Sequence, residues 1–400
     1  MGNLKIATVL GAFAAVVGLV SASCSSDPAA TSGRGPASDT DGGTDGTTTE
    51  GGPNPGDAAS EEASGPPPLV YAFVGTASQA RISVYEVSTT GSWTFKSKLE
   101  AEGEPNWIDV DVAHNHVLST EGGTAAVRSY TFDPKTAALT FVNQKGSGGA
   151  GPAHLRIDST GKWVYVANYS AGSVSVLPLA ADATLGDATT VAAGAQAHFV
   201  DTSPSKGFLF VPCVAANKIA RYTFNDTTGA FTAQTAFTTG LGGPRHLVFH
   251  PSEKFAYAIN EPVASIAVLG FDKTNGTFSS IETKSTLPAG FTDPNSGAEI
   301  AMHPSGKFLY GSNRGHDSIA IFTIDQVTGK LTAAGHASTE GDTPRSFSLS
   351  PDGQFLFAGN EESGGVTGFR VDPTSGALTS LGKVSDVALP TVVRLFSFPR

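Results

Sequence analysis

The chain has 400 residues, of which 15% are charged and 47 are glycine, and its formal net charge is −11. Abundant glycine with few charged residues is typical of a turn-rich all-β protein. The acidic balance, without any cluster of basic residues, argues against nucleic acid as a partner.

The N-terminal segment is typical of a secretory signal. Lys5 precedes an apolar run over 6–20, and three small residues then lead to Cys24. The run is about as long as a signal core and short for a membrane span. This pattern resembles a bacterial lipobox, in which Cys24 would be lipidated, although Ser21 stands where leucine is usual. Ordinary signal cleavage nearby is the alternative, and both predict export to the cell envelope.

Residues 25–68 are predicted to form a disordered linker between the membrane and a folded domain. The segment consists mainly of Gly, Ser, Thr, Pro and Asp, with eight acidic residues against the single Arg34. Such a composition cannot bury a hydrophobic core. We therefore expect a signal peptide over 1–24, an acidic linker over 25–68 and one domain over 69–400.

A strand-turn-strand unit recurs through the predicted domain. One clear copy, AEIAMHPSGKFLYGSN, begins at residue 298, and its Pro and Gly are typical of a tight turn. Copies begin at residues 153, 197, 245, 298 and 345, which lie 44, 48, 53 and 47 residues apart, and a degenerate copy begins at 106. A second hairpin in most units has Asp or Asn early and Gly at its tip. Repeats of roughly 40–50 residues with four strands each predict β-propeller blades.

The strand count predicts seven blades and a closed ring. Six units contain an innermost strand, whereas the strands that follow residue 69 lack one. The segment 391–398 is a strand without the other three of its unit. Pairing 391–398 with the strand around 70–74 completes a seventh blade and removes exposed sheet edges.

The cysteine and histidine content predicts neither a disulfide nor a metal site. If Cys24 is lipidated, Cys213 has no partner. His114 and His116 lie two apart on a predicted turn, a spacing that does not indicate metal binding. We expect no cofactor, a monomer, a small-molecule lactone as partner, and contact with the membrane through the lipid anchor alone.

Ionisable residues are predicted to meet at one mouth of the propeller channel. All innermost strands start at that mouth, and the next, antiparallel strands end there. Counted two residues after the Pro, Gly or Gln that precedes each innermost strand, the first column contains Trp107, His154, His198, His246, Glu299 and Ser346. The ends of the next strands contain Asn168, Cys213, Glu261, Arg314 and Glu361.

A purely structural role is the alternative for each of these residues, because repeated polar positions often tie neighbouring blades together. The asparagines that recur at one place fit that role best, as loop caps; they are Asn168, Asn260, Asn313 and Asn360. Residues that differ between blades favour a function.

Three stretches resemble the seven-bladed β-propeller lactonase family, which includes propeller-type 6-phosphogluconolactonases and fungal carboxy-muconate cyclases. They are GGPRHLVFHP at 242–251, GAEIAMHPSGKFLYGSNRGHDSIAIF at 297–322 and GDTPRSFSLSPDG at 341–353. The resemblance covers about 69–400. It implies catalytic roles for His198, Arg245, Glu261 and Arg314, and substrate contacts for His154, His246 and Glu299. We expect a further substrate contact from His316. The sequence departs from the family pattern at 211–214 and at 217–218, which leaves the substrate open.

The expected activity is hydrolysis of a sugar-type or carboxylated lactone without a covalent intermediate. Arg245 and Arg314 would bind a carboxylate or the lactone carbonyl and stabilise the oxyanion. Glu261 or His198 would take a proton from the attacking water. Export argues against 6-phosphogluconolactone itself, since 6-phosphogluconate is cytoplasmic. The alternatives are a cyclase-like lyase and a non-catalytic envelope scaffold, although a scaffold has no need for these charges around one mouth.

Overall fold

A computed structural model describes residues 67–77, 79–205 and 207–400. The predicted signal peptide, Cys24 and the linker up to residue 66 lie outside these residues. No helix in the described part of the chain is long and apolar enough to cross a membrane.

Twenty-eight strands form seven four-stranded sheets in the described residues. In chain order they are β1 (Leu69–Thr76), β2 (Arg81–Val87), β3 (Trp93–Glu100), β4 (Pro105–Asp111), β5 (His116–Glu121), β6 (Ala126–Asp133), β7 (Ala138–Gly146), β8 (Pro152–Ile157), β9 (Trp163–Asn168), β10 (Ser173–Pro178), β11 (Thr189–Ala192), β12 (Asp201–Thr202), β13 (Phe208–Cys213), β14 (Lys218–Phe224), β15 (Phe231–Phe237), β16 (Pro244–Phe249), β17 (Phe255–Asn260), β18 (Ser265–Asp272), β19 (Thr277–Ser285), β20 (Ser296–Met302), β21 (Phe308–Arg314), β22 (Ser318–Ile324), β23 (Leu331–Ser338), β24 (Pro344–Leu349), β25 (Phe355–Asn360), β26 (Val366–Val371), β27 (Leu378–Ser385) and β28 (Pro390–Phe398).

Each sheet is one blade of a seven-bladed propeller. Six blades take four consecutive strands, from β4–β7 through β24–β27, and the remaining blade has the order β28-β1-β2-β3. All pairings within the blades are antiparallel, as adjacent strands joined by short turns require. The predicted all-β, seven-bladed fold is therefore confirmed.

The C-terminal strand closes the ring. Strand β28 pairs with β1 from Leu69↔Phe398 to Gly75↔Val392, which confirms the predicted closure. The Phe398 side chain is fully buried, and its ring centroid lies 5.8 Å from that of Tyr71 and 4.9 Å from that of Phe132 in the next blade. The chain terminus is thus part of the core of two adjacent blades.

Buried tyrosines connect some blades to the hairpin of the next one. The Tyr257 hydroxyl donates to the Gly329 carbonyl at 2.9 Å, and Tyr310 donates to Gly376 at 2.9 Å. A buried phenol needs such an acceptor. Gly329 has a φ of 72°, and a Cβ there would lie 2.5 Å from the Phe255 ring. These two constraints explain the glycine at the tip of the repeated hairpin.

The repeated asparagines have the structural role expected of them. Their side chains are buried, and their amide groups donate to nearby carbonyl and hydroxyl oxygens; the group comprises Asn168, Asn260, Asn313 and Asn360. Glu121 occupies the same register, because Pro105↔Glu121 corresponds to Pro152↔Asn168. It is fully buried and accepts from the Gly103 amide at 3.2 Å. Burial raises the pKa of the Glu121 carboxyl to about 7.

Deleting residues 391–400 should abolish cooperative folding, because it removes the inner strand of the closing blade. Loss of one large buried aromatic side chain such as Phe398 costs about 3–5 kcal/mol, against a total stability of about 5–15 kcal/mol for a typical protein. Thermal unfolding followed by circular dichroism measures the effect. Deleting only Pro399 and Arg400, which are exposed, is the matched control. A ten-residue truncation that melts like the parent would rule out ring closure as a source of stability.

The contribution of Glu121 to stability should fall as the pH rises from about 5 to 8, because its carboxyl group binds a proton more tightly in the folded chain than in the unfolded chain. A carboxyl pKa raised from 4.5 to about 7 corresponds to a loss on the order of 3 kcal/mol across that window. Glu121→Gln should remove this part of the pH dependence in urea unfolding at pH 5 and pH 8. Glu340→Gln, at an exposed position distant in the chain, should not. Equal slopes for the parent and Glu121→Gln would contradict this account.

Candidate active site

The register of the innermost strands sorts the candidate residues into two layers along the channel. The pairs Ala197↔Cys213, Pro244↔Asn260 and Pro344↔Asn360 mark equivalent positions. The residues one position after Ala197, Pro244 and Pro344 are His198, Arg245 and Arg345, which lie at the mouth. The next position along each innermost strand lies deeper in the channel, and in four blades it is occupied by His154, Phe199, His246 and Glu299.

His198 therefore does not share a layer with His154 and His246, and the sequence-based alignment was wrong by one residue in this blade. Gln196 has a left-handed φ of 58°, and the inner strand pairing starts at Ala197 rather than at Gln196. The residues predicted at the ends of the second strands need the same correction of one position. Asn168 and Cys213 precede the mouth position by one residue, and Tyr169 is the equivalent of Glu261.

All four residues expected to be catalytic line one cavity of about 490 Å³ at this mouth, which we call the mouth cavity. Its wall consists of Glu104, Asn106, Gly122, Gly123, Gly151, Ala153, Tyr169, Ser170, His198, Arg245, Glu261, Arg314 and Arg345. Residues near the starts of the innermost strands and near the ends of the second strands contribute most of this wall.

Glu261 lies between two guanidinium groups. Arg314 Nη2 donates to Glu261 Oε1 at 2.8 Å, and Arg245 Nε lies 3.5 Å from Oε2. Burial alone would raise the pKa of Glu261, but the charges of Arg245 and Arg314 outweigh it and hold this pKa below its usual range. Burial and the nearby Arg314 lower the pKa of Arg245 to about 9. At neutral pH the carboxylate is ionised and Arg245 remains protonated.

Arg245 is held from below by a chain of buried groups. Its Nη1 donates to the Ala298 carbonyl at 2.7 Å and lies 3.2 Å from His246 Nε2. Because a guanidinium only donates, His246 Nε2 is the acceptor and the imidazole proton lies on Nδ1. His246 Nδ1 then donates to Glu299 Oε1 at 2.7 Å. His246 and Glu299 orient Arg245 from beneath and are absent from the wall of the mouth cavity, where substrate contacts were expected.

Aromatic rings and imidazoles plug the channel below the mouth cavity. Centroid distances are 4.2 Å for Trp107–His154, 4.1 Å for His154–Phe199 and 5.0 Å for Phe199–His246. We call Trp107, His154, Phe199 and His246 the ring layer. Burial lowers the pKa of both imidazoles far below the usual range, so they are neutral. His154 lines a second cavity on the opposite side of this layer, which does not support its predicted role at the mouth.

His316 also lies outside the wall of the mouth cavity. Its Nδ1 lies 2.7 Å from Ser318 Oγ, and its ring packs edge-on against Phe291 at 4.8 Å. Asp317 Oδ1 accepts hydrogen bonds from the amides of Gly315 and Thr343, so this residue supports the loop. These contacts hold the turn over 315–317 in place between β21 and β22.

Tyr169 and Arg345 are prominent among the residues of the mouth cavity that were not predicted from the sequence. Arg345 follows Pro344 as Arg245 follows Pro244, so the Pro-Arg pair was an available signal. Its Nη1 lies 3.4 Å from a Glu361 carboxylate oxygen. The Tyr169 ring meets the His198 ring edge-on at 5.6 Å, and burial raises the pKa of its phenol.

The chemistry available at the mouth is that of fixed charges and of the His198 imidazole, which is neutral because burial lowers its pKa well below the usual range. In the described ranges, no group of three or more His, Cys, Asp and Glu residues is arranged to hold a metal ion. The Cys213 thiol is buried, donates to the Val211 carbonyl, and has its pKa raised to about 11 by burial, so it is a poor nucleophile. The cavity can bind an oxyanion and accept a proton.

Comparisons with known proteins agree with this architecture. The family model described as "Lactonase, 7-bladed beta-propeller" matches residues 71–395. The 6-phosphogluconolactonase of Bacillus subtilis (strain 168) is 32% identical over 292 residues, which cover 69% of this chain and 83% of that protein. The 6-phosphogluconolactonase of Pectobacterium carotovorum subsp. carotovorum (strain PC1) is 30% identical over 280 residues, with the same coverage of 69% and 83%.

Solved structures show the same similarity. A putative 6-phosphogluconolactonase from Bacteroides uniformis aligns with a TM-score of 0.76 and 28% identity, over 82% of this chain and 99% of that one. The periplasmic gluconolactonase of Pseudomonas aeruginosa aligns with a TM-score of 0.76 and 27% identity, over 83% of this chain and 100% of that one.

Proposed function

Because the chain belongs to the seven-bladed β-propeller lactonase family and is a hydrolase of that class, we propose that it opens a sugar-type or carboxylated lactone in the mouth cavity. The observation that supports this most is the ionised Glu261 held between Arg245 and Arg314 in the wall of a cavity that also contains His198 and Arg345.

The more exposed arginines are the groups that reach the substrate. The side chain of Arg245 is 3% exposed, whereas those of Arg314 and Arg345 are 16% and 28% exposed. Arg245 therefore anchors Glu261, while Arg314 and Arg345 bind the lactone carbonyl oxygen and any acidic substituent. Positive charge at the carbonyl oxygen stabilises the oxyanion that forms as water attacks, an effect worth about 10²–10³ in rate for a single donor.

Glu261 accepts the proton of the attacking water. As the water oxygen bonds to the carbonyl carbon, the water O–H bond breaks and its proton passes to the carboxylate. The tetrahedral intermediate then releases the ring oxygen, which takes the proton and leaves a hydroxy acid. A carboxylate with a depressed pKa is a weak base, so the guanidinium groups supply most of the rate acceleration. Neutral His198 is the other candidate base.

The exposed guanidinium donors of the mouth cavity favour a substrate with an acidic group. Its wall contains three arginines, of which Arg314 and Arg345 are partly exposed. An aldonolactone with a carboxylate or phosphate substituent fits these planar donors. A carboxy-muconolactone also combines a lactone ring with a carboxylate. It is therefore included in the substrate panel, where it tests for cyclase-type lyase chemistry at the same residues.

We also propose that the protein acts outside the cytoplasm, on a lipid anchor at Cys24. The apolar run over 6–20 and the small residues before Cys24 support this, and a structural neighbour is itself a periplasmic gluconolactonase. An exported lactonase would meet lactones that are not phosphorylated, so gluconolactone belongs in the same panel.

Replacing Glu261 by Gln should keep the shape of the site and reduce lactone hydrolysis about 10²- to 10⁴-fold, the usual loss for one positioned acid–base group. Acid release from a panel of lactones measures it. Because the carboxyl pKa is below its usual range, the parent rate should stay constant from pH 8 down to pH 5.

The matched control is Glu340→Gln, at an exposed position outside the wall of the cavity. If Glu261→Gln keeps full activity, His198 is the base. If the parent opens no lactone in the panel, the proposed function is wrong.

Replacing Cys24 by Ala should release the protein from the membrane fraction, because the thiol that carries the lipid is gone. Cell fractionation and immunoblotting measure the distribution. Cys213→Ala keeps Cys24 and is the control. A Cys24→Ala protein that stays in the membrane fraction would contradict lipid anchoring.

A further inference from the structure

A second polar cavity of about 480 Å³ lies at the far end of the channel. Innermost strands run from the mouth towards this end, so residues late in those strands line it, among them Arg156, Asp201 and Arg394. Glu299 also lines it. The ring layer separates this second cavity from the mouth cavity, and none of its lining residues is shared with the mouth cavity.

The two arginines of the second cavity are oriented but have few acceptors. Asp109, whose side chain is 3% exposed, lies 3.6 Å from Arg156 and 3.7 Å from Arg394. Arg156 Nε lies 3.3 Å from Asp201 Oδ1. These separations exceed the usual N–H···O range. The Arg394 guanidinium also lies over the Trp107 ring, 4.8 Å from its centroid, which fixes its direction. The two guanidinium groups are thus held in place although their N–H groups at these positions have no acceptor at the usual hydrogen-bond distance.

Buried acceptors beside this cavity are also unused. Glu299 Oε2 and Asp109 Oδ1 are buried and have no hydrogen-bond partner, and neither has Arg394 Nε. These three atoms have almost no accessible surface, so a ligand meets instead the more exposed Arg156, Arg394 and Asp201, whose side chains are 42%, 25% and 27% exposed. Guanidinium groups only donate hydrogen bonds, and an ionised carboxylate only accepts them. A ligand of this site must therefore both donate and accept hydrogen bonds.

We propose that the second cavity binds a small, neutral, polyhydroxylated molecule of the sugar or polyol class. Two arginines face two aspartates and Glu299, so the site has no excess of positive charge. An anion would bring only acceptors and would face three carboxyl groups, whereas a cation would face two guanidinium groups. A hydroxyl group donates to the carboxylates and accepts from the arginines. The cavity volume lies within the usual range of about 300–1,000 Å³ for small-molecule sites.

Binding is tested by isothermal titration of the full-length protein with D-glucose and sorbitol, and with gluconate and inorganic phosphate as charged comparators. We expect saturable binding of at least one neutral probe and weaker binding of both anions. Asp201→Asn and Arg394→Gln should each weaken the neutral probe about tenfold, the loss of one hydrogen bond to a charged group. Arg314→Gln alters only the mouth cavity and should leave this binding unchanged.

Three results would overturn the proposal. One is the absence of saturable binding of either neutral probe to the parent, which would mean that water alone fills the cavity. The second is binding that Arg314→Gln abolishes and Asp201→Asn leaves intact, which would place the probe in the mouth cavity. The third is tighter binding of an anion that Arg394→Gln removes. Melting temperatures identify any variant that fails to fold, and partly exposed Asp201 offers the milder substitution. Titration requires no turnover, so this test is independent of lactone hydrolysis.

Discussion

Pairing of the last strand with the first is the constraint on which the rest of the structure depends. Once β28 pairs with β1, seven sheets surround one axis, and the innermost strand of each faces the same narrow channel. Charged residues from different blades must then share a small, partly buried volume. Arg245 and Glu261 come from one blade and Arg314 from the next, yet both guanidinium groups lie within 3.5 Å of the Glu261 carboxylate.

Because the mouth cavity is partly enclosed, the pKa of each carboxyl group in the channel depends strongly on its immediate neighbours. An exposed carboxylate next to an arginine gains little stabilisation from the ion pair. A partly buried carboxylate loses its hydrating water, and the fixed charges of the neighbouring arginines stabilise it instead. Glu261 is stabilised as the anion for this reason. Glu299, with fewer compensating charges, has its pKa raised to about 7 by burial. The two carboxyl groups occupy one channel and differ in pKa because their partners differ.

The blade repeat could be predicted because strand periodicity and turn residues are local properties of the sequence. Ring closure followed from the unpaired strands at the two ends of the repeat. Depth along the channel could not be predicted so well, since a shift of one residue in a single blade exchanges neighbouring layers. In that blade the left-handed Gln196 displaces the register, and His198 lies with Arg245 rather than with His246.

Resemblance to the family identified the four residues that meet at the mouth, but their contacts required the structure. Nothing in the sequence shows that His246 accepts from Arg245, or that the ring layer divides the channel into two cavities. Arg345 is the opposite case. Its Pro-Arg pair matches that of Arg245, so the correct register in the sequence would have placed it at the mouth.

The central claim is that paired guanidinium donors in the mouth cavity stabilise the oxyanion of an opening lactone. Arg314→Lys tests it most directly, because lysine keeps the positive charge and loses the planar fork of donors. The measurement is kcat/KM for the best lactone of the panel, with Arg221→Lys, away from the mouth cavity, as control. We predict a fall of about 10²-fold in Arg314→Lys, the loss expected for one oxyanion donor, at an unchanged melting temperature. Activity equal to that of the parent would contradict the account.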